Sequence, residues 1–270
     1  MHKQIAGIIF DIDGCLIRGE TVIPGAPDTV RKLKGRGIKV AYLTNGNMEA
    51  TDLWIGRLRR LGFDVENHEI ITSVVIAAEY VKSKLPSAKI LPVGTEAMIA
   101  ILRERGLSVL DWDSAGEANV IVMGRDPDFN QKKLEIVCRA IWNGAKFIAT
   151  NLDRRLPVED GFIPETGPMV KAVAWATGRN PLVVGKPSRM AGKIALKLLG
   201  VPSQQALVVG DNLHQDIKMG KIVGMHTALV LSGCTTENDV IKVSERLRPD
   251  VALPEVNHLP AWLDARSVSN

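Results

Sequence analysis

Near-continuous apolar runs of a few residues alternate with amphipathic stretches along this chain, and that alternation narrows its fold before any single residue is considered. Ile5–Phe10 and Ile38–Leu43 read as strands buried on both faces, because they lack a regular polar alternate. Between them Asp28–Lys34 carries Val30 and Leu33 at helical spacing and stops at Gly35 and Gly37. A helix near Glu49–Leu61 follows, with Gly62 as its carboxyl-terminal stop. The pattern resumes late in the chain. Leu182–Val184, Ala206–Val209, Thr227–Leu231 and Val251–Leu253 read as strands, and Ala191–Leu199 and Asp216–Val223 as helices closed by Gly200 and Gly224. Strand–helix alternation of this kind predicts an α/β fold with a parallel sheet covered on both faces.

The middle of the chain repeats the pattern on its own account. Lys89–Val93, Val120–Met123 and Lys146–Ala149 are strand candidates, and Thr95–Arg105 and Gln131–Asn143 helix candidates. They define a second α/β domain, residues 76–182, inserted into a first made of residues 1–75 and 183–270. The strand ends Leu43-Thr44-Asn45 and Ala149-Thr150-Asn151 resemble each other, over too few residues to define a repeat.

Composition removes several function classes. Aromatic residues make up 4% of the chain, too few for a base-stacking platform, and the net charge of +4 comes from interspersed charges of both signs. No nucleic-acid partner is expected. No apolar run approaches the roughly 20 residues of a membrane span, and Asp11 ends the first one, so neither a membrane segment nor a signal peptide is expected. Cys15, Cys138 and Cys234 form no Cys-x-x-Cys pair, which argues against zinc and for a reducing compartment. These readings together predict a cytoplasmic protein.

In an open parallel sheet, ligands bind beyond the carboxyl ends of the strands. Four sequence features fall there. Asp11-Ile12-Asp13-Gly14 follows the first strand, and carboxylates this close repel each other unless a cation or a proton is shared. Thr44-Asn45-Gly46 follows the second and offers a hydroxyl and backbone N–H groups to a phosphate. Gly185-Lys186-Pro187 places a lysine after a third. Gly210-Asp211 follows a fourth, with Asp216 in the next turn, where it could also serve as a helix N-cap. Asp11 and Asp211 offer hard oxygen ligands suited to Mg²⁺. Taken singly, each has a plain alternative as a turn, a cap or an exposed lysine.

The order Asp-x-Asp, Thr, Lys, Gly-Asp, each after a strand, resembles the four motifs of the haloacid dehalogenase superfamily. Ile23-Pro24-Gly25-Ala26, Leu43-Thr44-Asn45, Ala149-Thr150-Asn151-Leu152-Asp153, Val184-Gly185-Lys186-Pro187 and Gly210-Asp211-Asn212-Leu213 are similar to the NagD-like subgroup. The insert between the Thr and Lys motifs resembles a C2-type cap. The resemblance implies a Rossmann-like, doubly wound parallel sheet with an inserted α/β cap. It also implies a Mg²⁺-dependent phosphatase that hydrolyses a small-molecule phosphomonoester through an aspartyl-phosphate. Asp11 would be the nucleophile and Asp13 the acid–base, and the metal would lie on Asp11, Asp13 and Asp211. Thr44, Asn45 and Lys186 would bind phosphate, with Asp216 supporting the metal site or orienting Lys186. Asn151, Asp153 and Arg154 would face the substrate from the cap. Transfer of the phosphate to another hydroxyl, or phosphate-ester binding without turnover, are alternatives. The resemblance leaves a homodimer open. Cys15 stands where the family usually has Thr or Val, and a role in the core is expected for it; His214 is left without a role.

Overall fold

A computed structural model describes residues 4–158 and 161–268. The chain divides into two compact units. One comprises Met1–Thr44, Asp52–Ile71 and Lys186–Asn270; the other comprises Asn45–Thr51 and Thr72–Gly185.

The first unit is built on a six-stranded sheet. Its order is Val251–Leu253, His226–Val230, Ala206–Gly210, Gly7–Phe10, Lys39–Thr44, Ile70–Thr72. The first five strands run parallel, with Phe10 in register with Val209 on one side and Tyr42 on the other. Gly7–Phe10 and Ala206–Gly210 are buried along their whole length, which is why they read as unbroken apolar runs. Helix Ala26–Gly35 buries Ala26, Thr29, Val30 and Leu33, an i, i+3, i+4, i+7 stripe. Helix Arg189–Leu199 is capped at both ends. The Ser188 hydroxyl accepts from the Ala191 N–H at 3.0 Å, and Gly200 closes it at φ 68°, where a side chain would be strained.

The second unit carries a five-stranded, all-parallel sheet in the order Leu182–Val183, Lys146–Ala149, Val120–Met123, Lys89–Val93, Ser108–Val109. Leu91, Val93, Ile121, Met123, Phe147 and Ala149 form its core with the helices Gln131–Trp142 and Thr166–Thr177.

At the two boundaries between the units the structure differs from the sequence reading. Leu182–Val183 was expected in the first sheet, but it pairs with Ile148 and Ala149 and so belongs to the second. The chain therefore leaves the second unit at Gly185 rather than near 182. At the other boundary, Thr72 accepts from the Val75 N–H at 3.2 Å and starts a helix, Ser73–Lys84, within the stretch expected to close the first domain. That helix is buried on most sides, so its sequence lacks an amphipathic period. Among the described residues, no helix is long and apolar enough to cross a membrane.

Candidate active site

The carboxyl edge of the first sheet collects Asp11, Thr44, Asp211 and Asp216, together with Lys186, all of them buried. Asp11 directly extends the first strand, its N–H donating to the Val209 carbonyl at 2.8 Å. The chain then turns tightly: Gly14 N–H donates to Ile17 O at 2.7 Å and Leu16 N–H to Ile12 O at 2.9 Å. This turn leaves Asp13 exposed while Ile12, Cys15 and Leu16 are fully buried. Gly14 has φ +82°, a conformation that favours glycine, and a Cβ there would lie 2.5 Å from the Asp211 carboxylate.

Lys186 joins the strand ends. Its Nζ donates to Asp11 Oδ1 at 2.5 Å, to Asp216 Oδ1 at 2.7 Å and to the Leu43 carbonyl at 3.3 Å. It follows Gly185 and precedes Pro187 across a cis peptide bond. Asp216 uses its second oxygen to accept from the Asn212 N–H at 3.2 Å. Both its oxygens are thus engaged, one of them in orienting Lys186. The N-cap role falls instead to Asn212, whose side chain accepts from His214 N–H and Gln215 N–H. His214 itself is exposed.

Asp211 is held by a loop that sequence reasoning missed. The Cys234 N–H donates to Asp211 Oδ2 at 2.6 Å, and the Ser232 hydroxyl donates to the Gly14 carbonyl at 2.7 Å. A Cβ on Gly233 would lie 1.9 Å from Asp211 Oδ2, so only glycine allows this approach. The signal was available: the loop follows the strand His226–Val230 at the same carboxyl edge of the sheet.

The electrostatics follow from burial. Asp11, Asp211 and Asp216 each offer an oxygen, all within 4.8 Å of one another. Burial pushes Asp11 up to about 7 against the pull of Lys186. It does the same to Asp216, also to about 7, helped by the Asp11 charge. Asp211 is raised by burial and by Asp216. Burial disfavours the Lys186 ammonium, but Asp11 and Asp216 outweigh it and hold the group above the ordinary lysine range. One ammonium against three carboxylates leaves an excess of negative charge in a buried space. A hard divalent cation fits that donor set.

Cys15 is fully buried, its thiol 3.6 Å from the Val209 carbonyl, and burial then Asp11 push its pKa well up. It packs as a small apolar residue. Burial and the Asp211 charge likewise push the Cys234 thiol up to about 12.

The remaining expected residues lie in the second unit. Asn151 is fully buried. Its side chain donates to the Asn45 carbonyl at 2.9 Å and accepts from the Asp153 N–H at 3.0 Å. The Asn45 side chain donates to Asp153 Oδ2 at 3.2 Å. Arg154 is exposed.

Known proteins resemble this chain over most of its length. A family of haloacid dehalogenase-like hydrolases matches residues 8–108, and a related hydrolase family matches residues 183–259. The structure of p-nitrophenyl phosphatase from Archaeoglobus fulgidus is 35% identical, with a TM-score of 0.89, over 97% of this chain and 100% of that one. Glycerol phosphate phosphatase from Mycobacterium tuberculosis, solved in complex with magnesium, is 28% identical with a TM-score of 0.88, over 96% of this chain and 77% of that one. NagD from Escherichia coli K-12 is 29% identical with a TM-score of 0.87, over 94% and 98%. The chain belongs to the haloacid dehalogenase-like hydrolases. Within that family it is a phosphatase of the NagD-like group.

Proposed function

We propose that the protein is a Mg²⁺-dependent phosphomonoesterase that hydrolyses small-molecule phosphate esters through an aspartyl-phosphate on Asp11. The observation that carries this reading is the buried contact of Lys186 with both Asp11 and Asp216 beside Asp211 at one sheet edge.

The cation would be held by the Asp11 and Asp211 carboxylates and the backbone carbonyl of Asp13. When bound it would offset the crowded negative charge and the charge of the phosphate. Asp11 attacks phosphorus, forming a bond from its carboxylate oxygen as the ester oxygen departs. Splitting the displacement in two lowers each barrier. Asp13, exposed and next to the nucleophile in the turn, gives its proton to the departing alkoxide. It then takes a proton from the water that attacks the phosphoaspartate, which frees inorganic phosphate and restores Asp11. Thr44, the Asn45 backbone and Lys186 bind the phosphoryl oxygens. Asp216 fixes Lys186, so that the ammonium is already in place when charge builds on the phosphoryl group.

The second unit is assigned the role of the cap, which chooses the leaving group. Asn151, Asp153 and Arg154 are its candidate substrate residues. The p-nitrophenyl phosphatase and glycerol phosphate phosphatase relatives support a small phosphate ester as the substrate class.

The test is phosphate release from p-nitrophenyl phosphate with Mg²⁺. Wild type turns over, and Asp11→Asn falls by on the order of 10³-fold or more. Equal activity in the two would end the reading.

A further inference from the structure

A second charged concavity lies on the first unit and is built from residues the reaction does not use. Helix Arg189–Leu199 presents Arg189, Lys193 and Lys197 at i, i+4 and i+8. That spacing puts all three on one face, each about 6 Å further along the axis. They line a groove of about 500 Å³. All three are exposed, and among the described residues none of their side chains has an ion-pair or hydrogen-bond partner.

The arrangement costs stability as it stands. Like charges at i, i+4 repel, and Arg189 sits in the first turn, where the helix dipole disfavours a cation. Only Lys197, in the last turn, is favourably placed for its own helix. A bound anion would relieve both penalties.

Apart from Ser203, the rest of the groove is apolar. Leu196 comes from the same helix, Val201 and Pro202 from the loop after it, and Val223 from the last turn of the neighbouring helix Lys218–Val223. The two helices touch closely, since a Cβ on Gly192 would lie 2.8 Å from Val223 Cγ1. The site therefore offers a row of positive charge beside an apolar floor. Lysine and arginine are suited to phosphate oxygens, and a ligand with several phosphates can span the row. A planar base would cover the apolar side.

We propose that this groove binds a nucleoside di- or triphosphate, with its phosphates on Arg189, Lys193 and Lys197 and its base on Leu196, Val201, Pro202 and Val223.

The test is calorimetric titration of the full-length protein with ATP in EDTA, for wild type, Asp11→Asn and Lys193→Glu/Lys197→Glu. Wild type and Asp11→Asn are expected to bind one equivalent. The charge-reversed protein is expected to bind about tenfold more weakly or worse, and binding should weaken with salt. Tripolyphosphate should bind wild type less tightly than ATP, because it lacks a base. Lys193→Ala/Lys197→Ala gives the same readout if the reversed protein fails to fold. The proposal is overturned by no saturable ATP binding up to about 1 mM, by equal binding in the charge variants, or by a loss confined to Asp11→Asn. Tripolyphosphate binding as tight as ATP would overturn the nucleotide assignment. Binding of phosphatidylserine vesicles without ATP binding would assign the face to a membrane and overturn it as well.

Discussion

At the scale of single residues, the site is a set of charges that the fold holds together against their own repulsion. Asp11, Asp211 and Asp216 share one buried region with Lys186. Removing one carboxylate relieves that repulsion even as it removes chemistry. Asp11→Asn is therefore expected to melt, in metal-free buffer, at a temperature no lower than wild type by circular dichroism. A loss of several degrees would show that Asp11 is a net stabiliser. Gly233 tests the loop around Asp211. The Cβ of Gly233→Ala has no room beside Asp211 Oδ2, so the carboxylate or the loop must shift. Mg²⁺ affinity is expected to fall by about tenfold or more, read as the Mg²⁺ dependence of kcat/KM. Unchanged dependence would mean that the loop yields without moving the carboxylate.

At the scale of elements, the last strand of the first sheet is tied in through a carboxylate. Asp250 precedes Val251–Leu253 and accepts from the Thr227 N–H at 3.0 Å and from Lys221 Nζ. Its own N–H donates to the Thr227 hydroxyl at 3.1 Å. Burial alone would raise its pKa, but the hydrogen bonds from Lys221 and Thr227 outweigh burial and hold it below the ordinary carboxylate range. A group depressed in the folded state stabilises above its unfolded value and loses that contribution as pH falls through the folded one. Asp250→Asn is expected to lose about 1 kcal/mol in urea unfolding at pH 7, the carboxylate being partly solvated. The gap to wild type should close as pH falls through the folded-state value, which lies below the ordinary carboxylate range. A gap that persists in acid would locate the effect in packing instead.

At the scale of the whole molecule, the metal ligands proposed here come from widely separated stretches of chain, around residues 11 and 211. The unfolded chain cannot bring them together, so Mg²⁺ at the proposed site would bind the native state alone and stabilise it. At a hundred times the dissociation constant the gain is about 2.7 kcal/mol. For a chain of this size that is several degrees in Tm. Differential scanning calorimetry with Mg²⁺ and with EDTA reads this directly. Asp211→Asn should abolish most of the shift, and a shift that survives would place the ion elsewhere.

Much of this was legible in the sequence, for a physical reason in each case. Strands buried on both faces must be apolar throughout, so Gly7–Phe10 and Ala206–Gly210 declare themselves. Polar residues at the ends of such runs stand out against that background, and Asp11, Thr44 and Asp211 were found that way. The helix Ser73–Lys84 was hidden because burial on most sides erases the amphipathic period. Leu182–Val183 read as a strand, but the sheet it joins depends on its partner, and pairing is not written in a two-residue run. Asp216 could have been a cap until the structure turned it onto Lys186 and gave the cap to Asn212. The loop with Gly233 and Cys234 carries no motif at all. The sheet type and the polar residues at the strand ends could thus be read from the chain alone, because local burial patterns and side-chain chemistry are properties of the chain. Which of those residues share one charge is settled by folding, because contacts between strand ends far apart in sequence exist only once the sheet has closed.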